Sequence, residues 1–124
     1  MIGLSARTQV YAYCLPVDMR KGFESLSALV REQLGRDPLD GALYLFTNRR
    51  RTRAKVLCFD GSGLCIFSKR LERERFVALW KVTKRDSIPL TKTELELFLQ
   101  GSHLIARFQL APDPMTEKDL AVRS

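Results

Sequence analysis

The run Asn48-Arg49-Arg50-Arg51-Thr52-Arg53-Ala54-Lys55 constrains this chain more than any other stretch, because it concentrates positive charge between two segments that both read as strands. The flanks are Ala42-Leu43-Tyr44-Leu45-Phe46-Thr47 and Val56-Leu57-Cys58-Phe59, short and rich in aromatic and aliphatic residues. Together they predict a β-hairpin with a basic tip. Arginine forks match phosphate oxygens two at a time, and several cations on one projecting loop release counterions from a nucleic-acid backbone. Phosphate is one natural partner of such a tip. A solvated, charged turn that keeps the sheet soluble is the other reading.

Around the hairpin the chain alternates strand and helix signals. Arg7 to Tyr13 has the residue types of a first strand, closed by Pro16. Asp18 is placed as an N-cap for a helix over about Met19 to Leu34, whose Phe23, Leu26, Leu29, Val30 and Leu34 fall on one face. Gly35 and Pro38 end it. Arg20 and Lys21 would then lie in the first helical turn, where the macrodipole disfavours cations. They form either an anion site with the free N–H groups or a solvated pair neutralised by Asp18.

Asp40-Gly41 and Asp60-Gly61-Ser62-Gly63 are turn signals that bound a three-strand meander, its third run being Leu64-Cys65-Ile66-Phe67-Ser68-Lys69. Both faces of these strands carry apolar groups, so the helix covers one face and later elements the other. Arg70-Leu71-Glu72-Arg73-Glu74-Arg75 is a second charge-dense stretch with a basic excess, and Phe76 to Lys81 reads as a further strand. Trp80 within it serves the core or stacks on a base. Thr91 with Glu94 is a capping box, Leu90 and Leu95 a hydrophobic staple, and Gly101 a terminator, which defines a short C-terminal helix. Leu104 to Leu110 reads as an edge strand. The fold class is therefore α+β: an antiparallel β-meander with an N-terminal strand, one amphipathic helix packed on the sheet and a short C-terminal helix. Residues 1–110 form a single domain and 111–124 a loose tail.

Charge narrows the function classes. The 124 residues hold 21 Lys and Arg against 14 Asp and Glu, a net charge of +7. That balance favours polyanions, or an acidic protein surface. No signal peptide or membrane span is evident, so a cytoplasmic location is expected. Cys14, Cys58 and Cys65 lack metal-ligand or framework spacing and read as buried thiols, and His103 has no ligating neighbour. No metal or other cofactor is expected. No nucleotide loop, dinucleotide fingerprint or nucleophile–base pair is present. The best enzymatic case is metal-assisted phosphodiester cleavage by Asp18 and Asp60 with Glu72 or Glu74. Each of these carboxylates has a simpler structural use as a cap, a turn residue or an arginine partner.

Asp18-Met19-Arg20-Lys21-Gly22-Phe23, Leu43 to Phe46, Arg49-Arg50, Lys55, Asp60, Gly63, and Lys69-Arg70-Leu71-Glu72 followed by Phe76 form a specific pattern. In it the chain resembles, over about Val10 to Gly101, the small TnpB-type accessory proteins of bacterial insertion-sequence family sixty-six. These are distinct from the RNA-guided nucleases that share the label. Cys58-Phe59 stands where that pattern commonly has an aromatic pair. The resemblance implies a non-enzymatic protein that works beside a separate transposase, on DNA at the element's ends or as an adaptor docked on the transposase. It selects Arg20, Lys21, Arg49, Arg50, Lys55, Lys69 and Arg70 as the functional surface. Arg51, Arg53 and Arg73 join them from the charge pattern alone.

Overall fold

The computed structural model describes residues 8–103. Eight elements follow in order: β1 Val10–Tyr13, α1 Phe23–Gln33, β2 Leu43–Thr47, β3 Arg53–Phe59, β4 Leu64–Arg70, α2 Leu79–Val82, β5 Ser87–Leu90 and α3 Lys92–Leu99. The strands form one sheet in the order β4-β3-β2-β1-β5. β1 and β2 run parallel, joined by α1 as the crossover, and every other pairing is antiparallel. The expected α+β class and the meander β2-β3-β4 are present.

Side-chain alternation gives the sheet two apolar faces and hence two cores. On one face Tyr13, Tyr44, Phe46 and Leu57 pack with Leu26 and Val30 of α1. On the other, Val10, Ala12, Leu43, Leu45 and Val56 pack with Phe76, Leu79 and the Leu95, Phe98 and Leu99 stripe of α3. The rings of Phe76 and Phe98 stack 5.0 Å apart at 5°. The result is a three-layer arrangement with the sheet in the middle.

The start of the first helix and the 76–81 run need correction, and one strand was missed. α1 begins at Phe23 with Gly22 as N-cap, four residues later than expected at Met19. Asp18 does not cap it, because its carboxylate accepts instead from the Arg20 backbone N–H at 2.8 Å and from the Arg20 guanidinium. Arg20 and Lys21 therefore precede the helix and are not first-turn residues. The apolar run from Phe76 to Lys81 is not a strand. Its Phe76, Val77, Ala78 and Leu79 are all buried, and a single helical turn, α2, follows with Trp80 half-buried. A continuous apolar run carries no period by which to choose between strand and helix. β5 went unrecognised because Pro89 sits inside it; proline is tolerated here since β5 is an edge strand. The expected strand Leu104 to Leu110 and the tail lie outside the described residues.

Candidate nucleic-acid interface

The tip between β2 and β3 is stitched rather than free. Asn48 Oδ1 accepts from the N–H groups of Thr52 and Arg53 at 2.9 and 3.0 Å, and the Asn48 N–H reaches the Arg53 carbonyl at 3.1 Å. Arg51 adopts φ 62, a left-handed conformation normally avoided by side-chain-bearing residues. Its carbonyl accepts from the Phe76 N–H at 2.7 Å, while the Thr52 carbonyl accepts from the Leu71 N–H at 2.8 Å. The Arg75 guanidinium donates to the Arg50 carbonyl at 3.1 Å. These bonds draw the second charge-dense stretch against the tip, so Arg49, Arg50, Arg73 and Arg75 crowd one end of the sheet.

Beside the tip, on the α1 face, lies a groove of about 390 Å³. Arg53, Ala54, Lys55, Ser68, Lys69 and Arg70 line it from the strands, together with Met19 and Glu72. Strand register sets this arrangement: Arg53 pairs directly with Arg70, and Lys55 with Ser68. Residues opposed in this way have Cβ atoms about 5 Å apart, and like charges so placed are destabilising unless something neutralises them. Glu72 accepts from Arg70 Nε at 2.9 Å, with both side chains well exposed. Lys55 Nζ donates to the Lys21 carbonyl at 2.8 Å, which brings the segment before α1 to the groove wall.

The remaining predicted cations differ in how they are held. Arg20 is committed to Asp18 at 2.6 Å, and that bond is the chief reason the Asp18 carboxyl is held down at about 2. Arg51 is half-buried and serves the backbone latch, its Nη1 lying 3.5 Å from the Phe76 carbonyl. Lys69 is opposite Ala54, which belongs to the core on the α3 face, so alternation sets its side chain on the other face from Arg53 and Arg70 while the residue still contributes to the groove lining. Among the described residues, Arg49, Arg50, Arg53, Lys69 and Arg73 make no ion pair. Sequence reasoning missed Asn48 as the staple of the tip and Arg75 as its tether. An Asn opening a loop is the turn signal that would have found the first.

Asp18 and Asp60, the two aspartates weighed for cleavage, do not converge. Asp18 adjoins Met19 at the groove, whereas Asp60 closes the turn after the far end of β3. There it accepts from the Ser62 and Gly63 N–H groups, which hold its carboxyl at about 2. Among the described residues no group of three His, Cys, Asp or Glu side chains is arranged to hold a metal. No helix among them is long and apolar enough to cross a membrane.

A family model described as IS66 Orf2-like protein, of the TnpB type, matches residues 8–108. The chain belongs to that family. IS66 Orf2-like proteins are accessory to transposition of IS66-type insertion sequences, and this chain has that role. It is 43% identical over 84 residues to the uncharacterized protein y4hO of Sinorhizobium fredii, covering 68% of this chain and 71% of the relative. It is 32% identical over 101 residues to the uncharacterized protein y4jC of the same organism, covering 82% and 85%. No solved structure matches. The matched span takes in the tip, the groove and the 70–75 stretch, so the basic end of the sheet lies wholly within the family region.

Proposed function

We propose that this IS66 Orf2-like protein is a non-catalytic, cytoplasmic accessory factor that binds the phosphate backbone of DNA, leaving strand cutting to a separate transposase. One observation carries the reading: Arg53 and Arg70 face each other directly across two strands, with Lys55 two residues along on the same open face. Glu72 answers Arg70 through Nε alone and Arg53 makes no ion pair among the described residues, so a phosphate between the two accepts from both forks and offsets the remaining repulsion. Arg49, Arg50 and Arg73 extend the contact from the tip, and Lys21 and Lys69 flank it. Such contacts position the protein without reading bases.

With about six phosphate contacts, affinity for duplex DNA falls on the order of a thousandfold between 50 and 200 mM salt. Changing Arg53 and Arg70 together to Ala weakens binding of all sequences alike and lowers the salt slope by about two. Arg49→Ala with Arg50→Ala acts the same way, whereas Arg20→Ala changes little, because both oxygens of Asp18 occupy its fork while Glu72 holds Arg70 by Nε alone. Fluorescence anisotropy on labelled DNA from an element end measures all three. Binding with no salt slope overturns the reading. So does capture of the transposase by a protein that shifts no DNA, which would establish the adaptor role.

A further inference from the structure

The two edges of the sheet are unlike. β5 is four residues long and blunted by Pro89. β4 is seven residues long, contains no proline, and has no strand on its outer side among the described residues. Just past β4, the Leu71 N–H bonds the carbonyl of Thr52, the residue before β3, which sets the phase of the ladder. Cys65, Phe67 and Lys69 turn their backbone groups toward β3, and Leu64, Ile66, Ser68 and Arg70 turn theirs outward. In the middle of this edge the Phe67 ring is 40% exposed. A long edge with an exposed aromatic and an open row of backbone donors and acceptors is a template for another strand.

We propose that this edge pairs with β4 of a second copy of the chain, antiparallel across a twofold axis at Phe67. Charge selects this occupant and direction. β4 starts at the turn that carries Asp60 and ends in Lys69 and Arg70, the latter bonded to Glu72, so it is acidic at one end and carries a basic excess over residues 69–75 at the other. A twofold sets the basic end of each copy beside the Asp60 turn of its mate, while parallel addition would stack Lys69 and Arg70 on their own counterparts. The register also satisfies the backbone. Ile66 faces Ser68 of the second copy and Leu64 faces Arg70, all four with outward-pointing groups, and the two Phe67 rings meet at the axis. Equivalent faces then lie on the same side of a continuous sheet, which places two Arg53–Arg70 pairs on one surface. Six residues along a strand separate Arg70 from the position of Leu64, about 20 Å.

The pairing stands apart from the nucleic-acid reading and is tested without DNA. Sedimentation velocity of the full chain at rising concentration is expected to show a species of twice the 14.2 kDa chain mass. Ser68→Pro blocks the outward N–H without touching the β3 ladder, and Phe67→Arg sets two cations together at the axis. Both variants are expected to sediment as monomers, with circular dichroism showing the fold retained in at least one. A wild-type chain that stays monomeric throughout overturns the proposal. A folded variant that still doubles its mass overturns it as well.

Discussion

Thr47 ends β2 with no surface exposed, and its hydroxyl meets no hydrogen-bond partner among the described residues. A buried hydroxyl without a partner costs stability, and Val keeps the shape while removing it. Thr47→Val is expected to stabilise the chain by about 1 kcal/mol, read as a rise in the thermal midpoint. The carboxylates of Asp18 and Asp60 act in the opposite sense. Both are held at about 2, below the ordinary 3.8, by the Arg20 guanidinium and by the Ser62 and Gly63 N–H groups respectively. Their folded-state pKa values are depressed, so their contribution is present above about pH 4 and is lost as pH falls toward 2. Urea melts at a series of acid pH values should show that decline, and Asp60→Asn should flatten it. Cys14 behaves differently again, since burial pushes its thiol up to about 12 and leaves it inert at neutral pH.

Elements differ in how far local chemistry determines them. α3 was legible in full, since Thr91 and Glu94 make the reciprocal capping box, and Gly101 at φ 82 with Ser102 closes the other end by bonds to Phe98 and Leu97. Removing the cap by Thr91→Ala is expected to cost about 1 kcal/mol, measurable by denaturant titration. α1 was legible as a helix but not at its start, because Asp18 caps a turn with Arg20 that no pattern of apolar residues announces. The 76–82 segment was misread because its partner is distant: the Phe76 N–H is taken by Arg51 and its ring by Phe98. The tip was expected as a projecting loop, and it is instead held down along much of its length.

At the scale of the molecule, the second core and the basic end are mechanically one unit, since Phe76 bonds Arg51 while its ring fills the α3 face. Phe76→Ala is expected to cost about 3–5 kcal/mol and, under conditions where the fold survives, to speed amide exchange at Arg53 and Leu71 relative to β1. Exchange unchanged there would mean that Asn48, the Leu71–Thr52 bond and the Arg75–Arg50 bond hold the tip without Phe76. Local patterns in the chain sufficed to locate most strands and the capped helix, to predict two apolar sheet faces, and to mark the cations as a surface feature. These depend on residues a few positions apart, where propensity, capping and alternation act directly. Tertiary structure alone decided that β1 lies between β2 and β5, that Arg53 opposes Arg70, that Lys69 turns to the other face, and that Arg75 reaches the tip. Each of those is a matter of register or pairing between residues far apart in the chain, and register is set by how whole faces bury together, which no local window contains.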